Sequence, residues 1–288
     1  MSEKKDYLSQ QAYELYDSTS MPFTNQFISH FALGDSLIKK IGTHQSFGAL
    51  HFWTASELVI LGMMDTKLPF FKDALNVFIH HQQHFLVRNS GGLAVASNEG
   101  VLNFSLILPE DPLVKMSITE GYEFMLRLIR QTFKAYGKKI DAYEIEESYC
   151  PGDFDLSIDG KKFAGIAQRR LKKGVAIMIY LSVTGSQDKR TEMIRDFYQV
   201  GLANETVKWH FPKVNPAVMA NLDELLETPL TVDGVKQRIL ETLTTNGCLL
   251  SDGHYDLELK EDYKIAYQKM IERNEQMLAE TFDEELSR

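Results

Sequence analysis

At 288 residues, with 44% hydrophobic and 25% charged side chains, 18 glycines and 8 prolines, the chain has the balance of a folded globular protein, which excludes a disordered, collagenous or low-complexity one. A formal net charge of -9 argues against general nucleic-acid or anionic-membrane binding and points to proteins and small molecules as partners. Two cysteines, Cys150 and Cys248, cannot make a disulfide framework or a structural zinc site, and they suit a reducing compartment. The start, Met-Ser-Glu-Lys-Lys-Asp, has neither the apolar stretch of a secretory signal nor the Arg-rich composition of a transit peptide. The most apolar runs, 59–64 and 175–183, fall far short of the roughly 20 residues that cross a bilayer. The expectation is a soluble cytoplasmic protein without membrane or nucleic-acid partners.

No repeat period organises the chain, and its first 30 or so residues are polar. Residues 32–41 space Leu33, Leu37, Ile38 and Ile41 as a helix does, and 70–85 do the same with Phe71, Leu75, Phe78 and Ile79. Between them 58–62 read as a short buried strand, and 85–87 and 103–108 as two more, the last closed by Pro109. Apolar residues in 121–136 predict a helix ended by Gly137. Phe154, Leu156 and Ile158 then alternate with Asp155, Ser157 and Asp159 ahead of the Asp159-Gly160 pair that favours a type I' turn, so 154–168 read as a hairpin. A two-residue loop pairs Ile158 with Lys161, Ser157 with Lys162 and Leu156 with Phe163, which sets Phe163 on the apolar face and Lys162 on the other with Ser157 and Asp155. A strand at 175–183 and helices at 218–226, 232–243 and about 257–278 complete an α+β fold, a mixed β-sheet with flanking helices.

Cys150 lies in Ser148-Tyr149-Cys150-Pro151-Gly152, a loop ahead of the hairpin. A loop thiol is either an inert small hydrophobe or a nucleophile, and Cys248, after Asn246-Gly247, reads as packing at a turn. Lys162 is either a solvated strand lysine or an ammonium close enough to favour a thiolate. Ser157, opposite Lys162, is about 23 Å of extended chain from Cys150, so Pro151-Gly152 must fold the thiol back. Around Gly91-Gly92, residues 87–95 combine a strand end, an arginine and a turn that lets backbone N–H groups approach a ligand. His80 and His84 share a helix face in the predicted helix, but without a third ligand they make no metal site, and a histidine-rich last turn is the simpler reading. The basic run 169–173 is either a solvated strand end or a docking patch for an acidic partner.

Taken together, Arg88-x-Ser90-Gly91-Gly92-x-Ala94-Val95, Gly100-x-x-Asn103-Phe104-Ser105 and Asp155-Leu156-x-x-x-Gly160-Lys161-Lys162-Phe163-Ala164-Gly165-x-x-Gln168-Arg169 resemble, in order and spacing, the biotin and lipoate protein ligase catalytic domain. The resemblance spans about residues 44–248, leaving 1–43 as an N-terminal extension with the first helix and 249–288 as a C-terminal helical segment. Lipoate ligases of that superfamily adenylate free lipoate and carry no cysteine at the place of Cys150. The cysteine-bearing branch passes an octanoyl chain through an enzyme thioester, and residues 87–95, 148–152 and 160–170 look most like its lipoyl amidotransferases, the octanoyl-[glycine cleavage H protein]:protein N-octanoyltransferases of Gram-positive bacteria. The resemblance implies that Cys150 is the acyl-thioester nucleophile and that Lys162 matches the family lysine that lowers its pKa. It also implies that Arg88, Ser90, Gly91, Gly92 and Ala94, with Asn103, Gly165 and Gln168, line the pocket for the acyl chain and reacting carbonyl.

By the same resemblance the octanoyl or lipoyl group arrives on octanoylated H protein and leaves on lipoyl domains of 2-oxoacid dehydrogenase acyltransferase subunits, without ATP or metal. Leu93 stands where many ligases have a third glycine, which disfavours an adenylate-binding loop. Competing readings are an octanoyl-acyl carrier protein:H protein octanoyltransferase, a non-catalytic lipoyl-domain binding module, and an ATP-dependent ligase.

Overall fold

The computed structural model describes residues 6–23, 27–44, 46–110 and 115–278. The opening residues 1–5, read above for export signals, and the end of the 249–288 segment lie outside them. In chain order the elements are β1 (Ala12–Asp17), α1 (Phe27–His44), β2 (Gly48–Trp53), β3 (Glu57–Leu61), α2 (Phe71–His80), β4 (His84–Val87), β5 (Val95–Asn98), β6 (Val101–Pro109) and α3 (Ile118–Thr132). There follow β7 (Asp141–Ala142), β8 (Leu156–Ile158), β9 (Lys161–Leu171), β10 (Gly174–Ser182), α4 (Gln187–Leu202), α5 (Leu222–Leu225), α6 (Val232–Thr245), β11 (Leu249–Asp252) and α7 (Leu257–Leu278). The expected α+β class with a mixed sheet is what forms. An eight-stranded sheet runs β11-β1-β2-β6-β10-β9-β8-β7, and a three-stranded sheet runs β4-β3-β5.

Strand pairing explains where the cavity lies. Antiparallel register aligns Trp53, Asn103, Tyr180 and Gly165 in one row across β2, β6, β10 and β9, and His51, Ser105, Met178 and Ala167 in the next. Ala49, Ile107, Ala176 and Arg169 form the row beyond. Because side chains alternate across a strand, all of these share one sheet face. That face carries small or polar side chains near β9 and is roofed by α1, through His30, Phe31, Gly34, Asp35 and Ile38 at helical spacing. The intervening residues, among them Phe52, Phe104, Leu106, Ile177 and Leu181, point the other way into the main core, where Met125, Leu128 and Ile129 of α3 and Ile239 of α6 pack against them. Ser117 and Glu120 form a capping box that starts α3, and Gly137, at φ 67°, closes the 3-10 turn after it.

Several expectations change. The helix expected over 70–85 stops at His80, because Gln82 turns into a positive φ of 56° and His84 opens β4. His80 and His84 therefore share no helix face, and among the described residues no cluster of ligand-type side chains could hold a metal. The helix over 218–226 shrinks to a 3-10 turn and the single turn of α5. The hairpin turn forms, with Asp159 and Gly160 both at positive φ, but its register slips: Leu156 pairs with Ala164 rather than Phe163. Phe163 is thus the extra residue of a β-bulge, and Phe163 and Ala164 both face the main core. Lys162 keeps its expected face, opposite Phe163 and with Asp155; the bulge turns Ala164 into the core, so that Lys162 and Gly165 come to the same cavity side.

Candidate active site

The face of the sheet below α1 and the turns at 88–93 and 148–155 enclose a cavity of about 340 Å³. Of the residues singled out from sequence, Cys150, Lys162, Arg88, Ser90, Gly91, Gly92, Asn103, Gly165 and Gln168 all border it. Ala94 lies below its wall, fully buried, with its N–H donating 3.1 Å to the Tyr198 hydroxyl.

Pro151-Gly152 does fold the thiol back. Asp155 N–H donates to the Gly152 carbonyl at 3.0 Å, and the half-buried Cys150 takes φ 47°, in the left-handed region that a non-glycine residue holds only when its surroundings fix it. Lys162 supplies that fixing. The residue is 1% exposed, so it is no solvated strand lysine, and its ammonium donates to Ser148 Oγ at 3.0 Å and to the carbonyls of Tyr149 and Cys150 at 2.9 Å each. Asp155 completes the pair at 2.9 Å. Burial pushes the Asp155 carboxyl above the usual carboxylate range, with Lys162 and the N–H groups of Ile145 and Gly152 pulling against it.

The Cys150 sulfur itself receives the Leu93 N–H at 3.2 Å and the Arg88 guanidinium at 3.5 Å. Arg88 is 9% exposed, and the same Nη2 donates to the Leu93 carbonyl at 3.0 Å. The close approach needs Gly92, at φ 101°, where a Cβ would overlap Arg88 Nη2 and stand 3.0 Å from the sulfur. Beneath this turn the fully buried Asp65 accepts from Gly62 N–H at 2.7 Å and from Tyr198 O–H at 2.8 Å. Burial raises the Asp65 carboxyl to about 6, despite these donors and nearby Arg88.

Other predicted residues serve less directly. Asn103 Nδ2 donates 2.9 Å to Ser97 Oγ, tying β6 to β5. The Gln168 amide turns to the far side of the sheet, donating to the Ile118 carbonyl at the start of α3 and accepting from Arg170 at 3.0 Å. Within the basic run, Arg169 pairs with Asp35 of α1 and donates to the Asn89 carbonyl, and Arg170 serves Glu110 and the Met116 and Ser117 carbonyls. Both arginines of the run are thus engaged within the chain while staying partly exposed.

Residues that carried no signal in the sequence also shape the site. The hydroxyls of Tyr149 and Tyr180 meet each other and Gln187, and Gln187 accepts from the buried Arg190 at 2.9 Å, a hydrogen-bonded network behind Cys150. His30, His51 and Trp53 form the wall on the β2 side. The register of the sheet and the packing of α1 on it bring these distant positions together.

Comparison with known proteins agrees with this geometry. The family model of the lipoyl protein ligase A/B catalytic domain matches residues 27–244. The chain is 41% identical over 273 residues to an octanoyl-[GcvH]:protein N-octanoyltransferase of Exiguobacterium sibiricum, covering 95% of this chain and 98% of that one. It is 44% identical over 225 residues to the protein of the same name in Macrococcus caseolyticus, covering 78% and 81%. A lipoyl-[GcvH]:protein N-lipoyltransferase of Listeria monocytogenes is 38% identical over 278 residues, covering 96% and 100%. Among solved structures, lipoate-protein ligase A bound with ATP superposes with a TM-score of 0.70 at 15% identity, over 93% of this chain and 98% of that one. A bipartite lipoate protein ligase of Thermoplasma acidophilum gives 0.65 at 16%, over 96% and 98%. At such identity these structures establish a shared fold.

Proposed function

Since the chain belongs to the lipoyl protein ligase A/B catalytic-domain family, and within it to the octanoyl-[GcvH]:protein N-octanoyltransferases, we propose that Cys150 carries an octanoyl or lipoyl group between two proteins. The enzyme is an acyltransferase of protein lipoylation with GcvH, the glycine cleavage H protein, as its donor. The observation that carries the mechanism is the Cys150 sulfur at the edge of the cavity, held by Leu93 N–H and Arg88.

The Cys150 thiolate attacks the carbonyl carbon of the acyl-lysine amide on GcvH. The C–N bond breaks, the proton surrendered by the thiol leaves with the lysine amine, and the acyl group stays as a thioester. A deprotonated lysine of a lipoyl domain, from a 2-oxoacid dehydrogenase acyltransferase subunit, then attacks, the C–S bond breaks, and the proton the amine loses goes to the departing sulfur, which restores the thiol. Donor and product are both lysine amides, so the exchange is nearly isoenergetic and reversible, and it runs without nucleotide or metal. Arg88, beside the sulfur, is suited to follow the negative charge to the tetrahedral oxygen. Lys162 holds the backbone of the nucleophile and, with Arg88, disfavours a charged incoming amine. A free thiol nucleophile suits the reducing cytoplasm.

The test is intact mass spectrometry of the protein mixed with octanoylated GcvH and an unmodified lipoyl domain, without ATP. A hydroxylamine-labile octanoyl adduct on wild type and not on Cys150→Ala, with octanoyl appearing on the lipoyl domain, is the expected result. Loading only from octanoyl-acyl carrier protein moves the chain to the neighbouring octanoyltransferase reading, and transfer undiminished in Cys150→Ala removes the thioester.

A further inference from the structure

Two buried histidines on the wall opposite Cys150 take no part in that chemistry. His51 stands on β2 in the row next to Trp53, facing the cavity. His30 comes from α1, its ring stacked on Trp53 with centroids 4.6 Å apart and 5.8 Å from the His51 ring. They are 3% and 1% exposed, and among the described residues His30 Nδ1 and His51 Nε2 have no hydrogen-bond partner. Leaving a buried polar atom unpaired is costly, and no saturated alkyl chain can relieve it.

The sheet sets the distance. Tyr180 meets Tyr149, the neighbour of Cys150, and Tyr180 and Trp53 stand in one row with only β6 between their strands. Two strand spacings make about 10 Å, and an extended eight-carbon chain reaches about 9 Å. Cys150, Trp53, His30 and His51 all line the one cavity, so a chain loaded on Cys150 has room to run across this floor toward them.

Resting on the acyl-transfer reading above, we propose that His30 and His51 are specificity-determining residues for the far end of the acyl chain, favouring one that ends in a sulfur-bearing ring, the dithiolane of a lipoyl group, relative to a plain alkyl end. Each neutral imidazole offers one N–H donor and one acceptor nitrogen. The dithiolane sulfurs are weak acceptors, and divalent sulfur packs favourably against aromatic rings such as Trp53. An octanoyl methyl group fills the same place and leaves the nitrogens unpaired.

The experiment is a competition. The full chain is offered equimolar octanoylated and lipoylated GcvH, and the two Cys150 adducts are counted by intact mass in wild type, His51→Leu, His51→Gln and His30→Phe, the last of which keeps a ring stacked on Trp53. The ratio of lipoyl to octanoyl adduct is expected to fall about fivefold in His51→Leu and His30→Phe, the factor one hydrogen bond supplies, and to recover partly in His51→Gln. A ratio unchanged or raised in the loaded variants overturns the proposal. Should His51→Leu fail to fold, His30→Phe carries the test. If wild type loads neither acyl group, the acyl-transfer reading itself falls, and this proposal with it.

Discussion

The Lys162 ammonium donates to the carbonyl oxygen of Cys150 at 2.9 Å, while the hydrogen bonds to the Cys150 sulfur come from Leu93 N–H and from Arg88. Two cations therefore serve one residue in different ways. Lys162 fixes the backbone that carries the thiol at positive φ, and Arg88 is the charge that touches the sulfur.

Removing Lys162 strands a carboxylate. Lys162→Met leaves Asp155, 2% exposed, without its counter-ion and is expected to cost about 3–5 kcal/mol in urea unfolding. Lys162→Met combined with Asp155→Asn should recover much of that stability and none of the activity. A double variant as unstable as the single one would show that the ion pair is not what holds the 148–155 turn.

Arg88→Gln keeps a donor near the sulfur but removes the charge. Formation of the Cys150 adduct, followed by quenched mass spectrometry, should slow by about ten- to a hundredfold, with Arg88→Lys recovering part because it restores charge without the planar fork. Equal rates in Arg88→Gln and wild type would return the electrostatic role to Lys162 alone.

Neighbouring glycines should behave differently. A Cβ at Gly92 meets Arg88 Nη2 and the Cys150 sulfur at a backbone φ of 101°, whereas one at Gly91 meets nothing within 4 Å. Gly92→Ala is expected to abolish transfer, and Gly91→Ala to lower it far less. Comparable losses in the two would show that flexibility of the loop matters more than the close approach.

Two buried groups oppose each other in acid. Burial holds His51 at about 4 against an ordinary 6.5, so its unfolded form takes up a proton first as pH falls, and the stability it gives above pH 6.5 is lost toward pH 4. Asp65 is raised to about 6 from 3.8, so its unfolded form ionises first as pH rises, and stability is lost from pH 4 to 6. Each is worth at most about 3 kcal/mol. Asp65→Asn should make stability climb more steeply than wild type between pH 4 and 6, and His51→Gln less steeply, with the buried His30, also held below its ordinary range, still favouring the higher pH, both read as urea midpoints across that range. Parallel profiles for the two variants would contradict the assignment.

The sequence by itself determined the fold class, the β8–β9 turn, the long helix at 257–278 and, through the motifs that carry the family resemblance, part of the cavity lining, because these rest on local signals. Asp159-Gly160 favours one turn type, apolar residues at helical spacing build one face of a helix, and the 88–94 and 160–169 motifs are contiguous. It could not show β1 and β11, short strands that become strands only by pairing in a sheet, or α2 ending at His80, where a turn and the parallel pairing of β4 with β3 override helical spacing. The face of Lys162, opposite Phe163 and with Asp155, was legible from the turn, but the bulge beside it was not. A hairpin read from its turn has regular alternation, and the bulge at Phe163 arises because Phe163 and Ala164 both gain by entering the main core, while Lys162 stays on the cavity side with Asp155. The Arg88 contact to the thiol and the His30–His51 wall join residues far apart in the chain, so only strand register and the packing of α1 could bring them to one cavity.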